Sequence, residues 1–266
     1  MGSHTDLEDG WRASTPLGDT LLRRYVLNLA ASFEAPVVAM GGRIIRGDGF
    51  VAADLGRPAG YANSCVLVRP PADDALDEID AFFGSGAGTV ELWSAWPTPD
   101  LRARGWELEG HPPLLIRPAG VPLPDRPTPG DLRVEPVTSR SAVRDWERVA
   151  VDGFPLPEVQ PLKPGALVDE RVLSDERIRM WVGYAAGRPV VIGSLFVDSC
   201  IGNLTLGATL PHARRRGYWA AMALTRLRAI PDLPAAALFS DMSRPGAEAL
   251  GFLPITRFTL WRKPRP

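Results

Sequence analysis

The stretch 203-NLTLGATLPHARRRGYWAAMALTRLRAI-230 determines how the second half of this 266-residue chain folds. Residues 203–210 have the pattern of a strand. Residues 218–230 place Trp219, Ala223, Leu227 and Ile230 on one helical face, interrupted only by Arg226. Three arginines and a glycine lie between the two elements. The sequence therefore predicts a strand, a basic turn and a helix in direct succession.

This succession of elements is suited to binding an anion. The first turn of a helix offers unpaired backbone N–H groups and the positive end of the helix dipole, and glycine allows a close approach of the backbone. Forked arginine donors suit linked phosphates. The sequence predicts a pyrophosphate site at residues 214–220, and a solvated basic turn is the alternative.

The neighbouring segments complete an α/β pattern. A strand at 132–136 precedes a helix at 139–150 and a loop at 151–164, and a hairpin is predicted around Ala186, Gly187 and Arg188. The remaining predicted elements are strands at 179–185, 189–198, 235–241 and 255–262 and a short helix at 245–250.

A proline-rich stretch divides the chain. Residues 117–136 read RPAGVPLPDRPTPGDLRVEP, which cannot continue a helix or a central strand. We predict a first domain at 1–120, a linker at 121–131 and a second domain at 132–266. In the first half we predict strands at 64–69 and 90–96 and helices at 75–83 and 100–103.

The two halves share one short pattern. Gly105 and Trp106 follow a short helix and lead into a strand that closes with Pro118, and Gly251, Phe252 and Pro264 repeat this arrangement with the same spacing. We interpret the pattern as internal duplication, with an unrelated α+β domain as the alternative.

The basic turn resembles the acetyl-CoA signature of the GNAT superfamily of N-acetyltransferases, in which Gln or Arg, two residues, Gly, one residue and then Gly or Ala follow one another. Arg214 and Gly217 match this signature, and SRPGAEALGF at 243–252 resembles the closing helix and Leu-Gly-Phe turn of the family. The resemblance covers about the last 135 residues. It implies a mixed twisted sheet flanked by helices, and the duplication extends this to two tandem GNAT-like domains.

The resemblance also implies which residues bind acetyl-CoA. Backbone groups of the splayed strand would pair with pantetheine and polarise the thioester, and amides of the turn would hold the pyrophosphate. The first set is Gly207, Ala208, Thr209 and Leu210. The second set is Arg214, Arg215, Arg216, Gly217, Tyr218, Trp219 and Ala220.

The sequence departs from the family at three positions. Trp219 replaces a small residue of the signature, and we expect its ring to point into the core and leave its amide available. Ala247 replaces a tyrosine that protonates the CoA thiolate in many relatives, and Asn203 replaces a glutamate that serves some as base. The remaining catalytic candidates are Thr209, Ser240 and Asp241, together with Asp152 in the loop after the predicted helix and His212 beside the basic turn.

Composition excludes several classes of protein. With 45% hydrophobic residues, 23% charged residues and a formal net charge of −1, the chain has no basic excess for nucleic acid and no apolar run for a membrane span. Cys65 and Cys200 lack partners at metal spacing, so we expect no metal site. We predict a cytoplasmic protein that is a monomer or a homodimer.

These observations lead to one functional prediction with open alternatives. We predict an acyltransferase that moves an acetyl group from acetyl-CoA to a small-molecule or peptide amine in a ternary complex. The first-half turn carries Asp73 and Asp74 where phosphates would bind, so we expect only the second half to bind CoA. The alternatives are a weakly active or inactive acyl-CoA sensor, a transferase for longer acyl chains, and a scaffold that uses the basic turn.

Overall fold

The computed structural model describes residues 20–72, 74–154 and 156–265. In the first half these residues form two helices and six strands. They are α1 (Leu21–Ala39), β1 (Arg43–Gly47), β2 (Phe50–Asp54), β3 (Asn63–Leu67), α2 (Ala75–Phe83), β4 (Thr89–Ser94), β5 (Glu107–Gly110) and β6 (Pro113–Arg117).

The second half contains three helices and eight strands. They are β7 (Leu132–Pro136), α3 (Arg140–Gly153), β8 (Ile178–Ala185), β9 (Arg188–Asp198), β10 (Ile201–Asn203), β11 (Ala208–Thr209), α4 (Tyr218–Arg228), β12 (Ala235–Leu238), α5 (Arg244–Glu248), β13 (Leu253–Arg257) and β14 (Thr259–Pro264).

Two mixed sheets with flanking helices form the molecule, which confirms the predicted fold class. One sheet has the order β1-β2-β3-β4-β14-β5, and the other has the order β13-β6-β12-β10-β9-β8-β7, with β11 paired to β9. Strands β3 and β4 are parallel, as are β10 and β12, and every other pairing is antiparallel.

The two halves exchange their last strands. Strand β6 of the first half lies between β12 and β13, and β14 of the second half lies between β4 and β5. The predicted linker at 121–131 therefore separates two segments of the chain whose sheets are completed by each other. The equal spacing of the two Gly-to-Pro segments corresponds to this reciprocal exchange.

A shared core joins the two sheets. Tyr25 of α1 packs edge-on against Phe258, with ring centroids 5.8 Å apart, and both side chains are buried. The amide of Asn28, also on α1, donates to the carbonyl oxygens of Asp198 and Ile201 at 3.0 Å. Because α1 is hydrogen-bonded to the connection between β9 and β10 in the second half, the two halves form one packed unit.

Local sequence patterns missed several elements. Helix α1 and strands β1 and β2 were not predicted, and the strand predicted at 203–210 is interrupted between β10 and β11. The strand predicted at 255–262 is instead two strands, β13 and β14. Among the described helices, none is long and apolar enough to cross a membrane.

Candidate functional site

The basic turn presents a row of unpaired backbone donors. The backbone has positive φ at Arg215 (63°) and at Gly217 (79°), the residue that caps α4. Within the described chain, the amides of residues 215–220 donate no hydrogen bond, and the first helical bond that follows runs from Ala221 to Gly217. Alternating left-handed residues before a helix create a concave group of N–H donors that is suited to an anion.

The three arginines of the turn have different surroundings. The guanidinium of Arg214 donates to the carbonyl oxygens of Thr209 and Gly153, both at 3.1 Å, so it braces the strand against α3. Arg216 forms an ion pair with Asp131 at 2.8 Å. The guanidinium groups of Arg214 and Arg216 are therefore engaged by protein partners, and the turn presents mainly backbone donors.

Strands β10 and β12 part next to this turn. The amide of Leu204 still bonds to the carbonyl oxygen of Ala236, but β11 pairs only with β9 among the described strands. Leu206 has φ of 43°, which marks the irregular backbone between β10 and β11. Because the amide of Leu210 bonds to Val190, strand alternation turns the amide of Thr209 toward the opening.

A buried arginine forms hydrogen bonds with the backbone next to the break between β10 and β11. Arg226 is 3% exposed, and its Nη1 donates to the carbonyl oxygens of Ser194 at 3.2 Å and Thr205 at 3.3 Å. Burial lowers the pKa of Arg226 to about 10, so the group remains charged at neutral pH. A Cβ at position 193 or 207 would lie within 3.0 Å of the guanidinium, which explains the glycines there.

Sequence reasoning did not identify Arg226 as part of the site. The available signal was a single charged residue on an apolar helical face, which we treated as an interruption of the pattern. A buried charge needs an electrostatic or structural reason, and here the polar backbone of the interrupted strand supplies it.

A cavity of about 1210 Å³ connects the turn, the parted strands and the first half of the chain. One end is bounded by the basic turn and the loop after β12. The other end is bounded by α1, by the segment around Tyr61 and by the loop after α3. From the first half, the wall includes Tyr25, Leu29, Ser32, Phe33, Pro36, Val37, Met40, Leu55, Tyr61, Ala62 and Trp93.

Most of the cofactor-binding residues named from the sequence line this cavity. They are Gly207, Ala208, Thr209, Arg214, Arg215, Gly217, Tyr218, Trp219 and Ala220. Leu210 and Arg216 are not on its wall. This placement concerns the shape of the site, and the binding roles themselves remain predictions.

The three catalytic candidates differ in position. Thr209 lines the cavity, and its buried hydroxyl has no hydrogen-bond partner among the described residues. Ser240 also lines the cavity, and its hydroxyl lies 3.0 Å from that of Ser243. Asp241 is not on the wall and instead forms an ion pair with Arg257 at 2.7 Å. The structure brings Thr209 and Ser240 to one cavity but not Asp241.

The residues that depart from the family motif have clear positions. Trp219 packs at 66° to the ring of Phe239 and against Gly246, so its half-buried ring points toward the core and also borders the cavity. Asn203 is buried on the wall, 3.5 Å from the hydroxyl of Ser32. Ala247 is fully buried in the core.

The equivalent turn of the first half is acidic. Helix α2 begins with Asp77 and Glu78 in its first turn. Asp74 caps this helix without a side-chain hydrogen bond, and Asp73 lies outside the described residues. Carboxylates at a helix N-terminus already occupy its positive end, which disfavours a phosphate there.

The cavity wall offers few groups for proton transfer. Burial raises the pKa of Tyr25 and of Tyr61 above the usual range of a phenol, so both stay protonated at neutral pH. Over residues 20–72, 74–154 and 156–265, no cluster of His, Cys, Asp and Glu has the arrangement of a metal site.

Comparison with solved structures places the fold. A GCN5-related N-acetyltransferase from Kribbella flavida aligns with a TM-score of 0.61 and 17% identity over 90% of this chain and 96% of its own. A GCN5-related N-acetyltransferase-like protein from Streptococcus suis aligns with a TM-score of 0.52 and 17% identity over 91% of this chain and 98% of its own. A GCN5-related N-acetyltransferase from Sphaerobacter thermophilus aligns with a TM-score of 0.51 and 15% identity over 82% of this chain and 78% of its own.

These likenesses span both halves and show that the chain has a GNAT-like fold. No protein-family model matches the sequence, and the search of curated proteins finds no match.

Proposed function

We propose that this protein transfers an acyl group, in the first instance acetyl, from acyl-CoA to an amine. The observation that carries the proposal is the row of amides at residues 215–220 that have no partner among the described residues. This row lies at the mouth of a cavity that passes between two parted strands. The GNAT-like fold supports the same reading, since the aligned structures are described as N-acetyltransferases.

The donor would bind along the parted strands. Amides of residues 215–220 would hold the pyrophosphate at the start of α4, and outward-facing backbone groups of Gly207–Leu210 would pair with pantetheine. Thr209 is suited to the thioester because its amide faces the opening and its buried hydroxyl has no partner among the described residues. Donors placed in this way would stabilise the oxyanion that develops as the amine attacks.

The amine would attack the thioester directly. Its nitrogen forms a bond to the carbonyl carbon, the bond from carbon to sulfur breaks, and the proton lost by nitrogen ends on the CoA thiolate. Positioning of the two substrates in one cavity can supply much of the rate without a covalent enzyme intermediate. We propose one CoA site per chain because the turn of the first half is acidic.

A second function is favoured by specific residues. Asn203 and Ala247 cannot transfer protons, and Asp241 is turned away toward Arg257. A protein that binds acyl-CoA without efficient turnover would fit these positions. It would act as a sensor of acyl-CoA.

Calorimetric titration and a thiol-release assay separate the two functions. Acetyl-CoA should bind with a stoichiometry of one per chain, and an amine panel should reveal acceptor-dependent release of CoA thiol. Binding without release by any amine would favour the sensor. A protein that neither binds acetyl-CoA nor gains thermal stability from it would overturn both.

A further inference from the structure

The cavity wall is apolar where the acceptor would bind. The first half contributes Leu29, Phe33 and Val37 from one face of α1, and the second half contributes Leu167 and Met180. Among the described residues of the wall, none is Asp, Glu, His or Lys. The only permanent charges among these described wall residues are those of Arg214, Arg215 and Arg226.

Several aromatic rings line the same cavity. Phe33 and Trp93 are stacked, with centroids 6.0 Å apart and an interplanar angle of 26°. Tyr61, Trp146 and Phe196 also line the cavity. Rings that border a cavity offer stacking and edge contacts to another ring, so this wall complements an aromatic ligand.

Two carboxylates influence Tyr61 from outside the wall. Glu147 is engaged by the backbone amides of Gly165, Leu167 and Val168, which accounts for its burial. Burial raises the pKa of Glu91 to about 7, because the buried site disfavours its charged form. Both carboxyl groups lie off the cavity wall, and that of Glu147 is already occupied by three backbone N–H donors.

An ammonium group would therefore be poorly accommodated. It would lose its hydration without a carboxylate to compensate, and it would share the cavity with the charged guanidinium of Arg226. An alkylamine with a pKa of about 10.4 is neutral only to about one part in a thousand at pH 7.4. With no carboxylate or imidazole on the wall to accept its proton, such an acceptor would seldom arrive in the reactive form.

We propose, on the basis of the function proposed above, that the acceptor is an uncharged aromatic primary amine. An aromatic amine is neutral at physiological pH because its nitrogen lone pair is delocalised into the ring. Attack forms the C–N bond and breaks the C–S bond, and the acidic N–H of the adduct passes its proton to the departing thiolate. The products are an anilide and CoA thiol, and no protein base is required.

Matched amines test this proposal. 4-Methoxyaniline and 4-methoxybenzylamine are similar in size and differ in charge at pH 7.5. In a calorimetric titration of the CoA complex, the aniline should bind at least tenfold more tightly. With acetyl-CoA, kcat/KM for the aniline should stay constant between pH 7 and 8, whereas that for the benzylamine should rise about tenfold with its neutral fraction.

A substitution on the cavity wall gives a second test of the same proposal. Ser32 is half-buried on the wall, so Ser32→Asp adds a carboxylate and Ser32→Asn is its neutral match. Ser32→Asp should shift the binding preference toward 4-methoxybenzylamine by at least tenfold relative to Ser32→Asn.

Tighter binding of the benzylamine or of spermidine by the unaltered protein would overturn the inference while leaving acyl transfer intact. Because binding is read on the CoA complex, the aniline preference can be established even if no amine supports turnover. In that case the proposed transfer would fail and the ligand class would stand.

Discussion

Nη1 of Arg226 lies 3.3 Å from the carbonyl oxygen of Thr205, and this hydrogen bond joins α4 to the irregular segment between β10 and β11. The same oxygen accepts the amide of Ser194 at 3.0 Å. A buried cation therefore holds the irregular backbone that separates the two strands. The opening that would receive the thioester depends on a residue that does not belong to the basic turn.

We expect Arg226→Met to lower kcat at least tenfold while changing the free energy of unfolding by less than about 2 kcal/mol. The substitution removes a buried charge that has no carboxylate partner among its hydrogen bonds, which offsets the loss of its bonds to backbone oxygens. Steady-state kinetics and urea unfolding measure the two effects. Arg226→Lys should restore part of kcat, and unchanged kcat in Arg226→Met would contradict the positioning role.

Replacement of Gly217 tests the basic turn. Gly217→Ala should raise the Kd for acetyl-CoA at least tenfold, because a side chain disfavours φ of 79° and re-aims the first amides of α4. Gly187→Ala is the matched control, since Gly187 has φ of 73° in a distant hairpin turn. Both variants should lose about 1 kcal/mol of stability, and an equal loss of affinity in both would refute a specific role for the turn.

The exchanged strands predict that the halves do not fold separately. A fragment of residues 132–266 lacks β6, so β12 and β13 lose their common neighbour, and β14 loses β4 and β5. We expect this fragment to show no cooperative urea transition by circular dichroism. Co-expression with residues 1–131 should restore the transition, and cooperative unfolding of the isolated fragment would be the contrary result.

Glu91 should make stability depend on pH. Burial raises its pKa from 4.5 to about 7, although Arg262 acts in the opposite direction. The native state therefore binds more protons than the unfolded state between about pH 4.5 and 7, and stability falls as pH rises through this window.

Glu91→Gln should remove this dependence and raise the free energy of unfolding at pH 8 by on the order of 2–3 kcal/mol. Urea unfolding at pH 5 and pH 8 measures the difference. The exposed Glu78→Gln is the control and should behave as the unaltered protein does. A slope that persists in Glu91→Gln would show that another group is responsible.

The sequence predicts the elements whose periodicity is local and uninterrupted. Strand β7 and helix α2 have the predicted bounds, and strands β8 and β9 each begin one residue earlier than predicted. Helix α1 was missed although it is 19 residues long, and it contains Pro36, which normally ends a helix. Its stability comes from packing between the halves, as the buried Tyr25 shows, and no local pattern records that.

The sequence predicted only those features of the candidate site that are formed by consecutive residues. The basic turn could be read because its residues are consecutive, and Gly207 marked the irregular strand correctly. The contribution of α1 to the cavity depends on packing between the halves, and the bonds of Arg226 to Ser194 and Thr205 join residues that are distant in sequence. Asp241 was predicted as a site residue from its place in the sequence, but its carboxylate pairs with Arg257 on strand β13 and does not line the cavity.

The central claim is that the amides at the start of α4 hold the pyrophosphate of acyl-CoA. Proton–nitrogen correlation NMR spectra of the isotope-labelled protein, recorded during a titration with acetyl-CoA, test this claim most directly. We predict that the largest amide shifts occur at residues 215–220, followed by those of Gly207 and Thr209. Saturable binding that leaves the amides of residues 215–220 unmoved would contradict the claim.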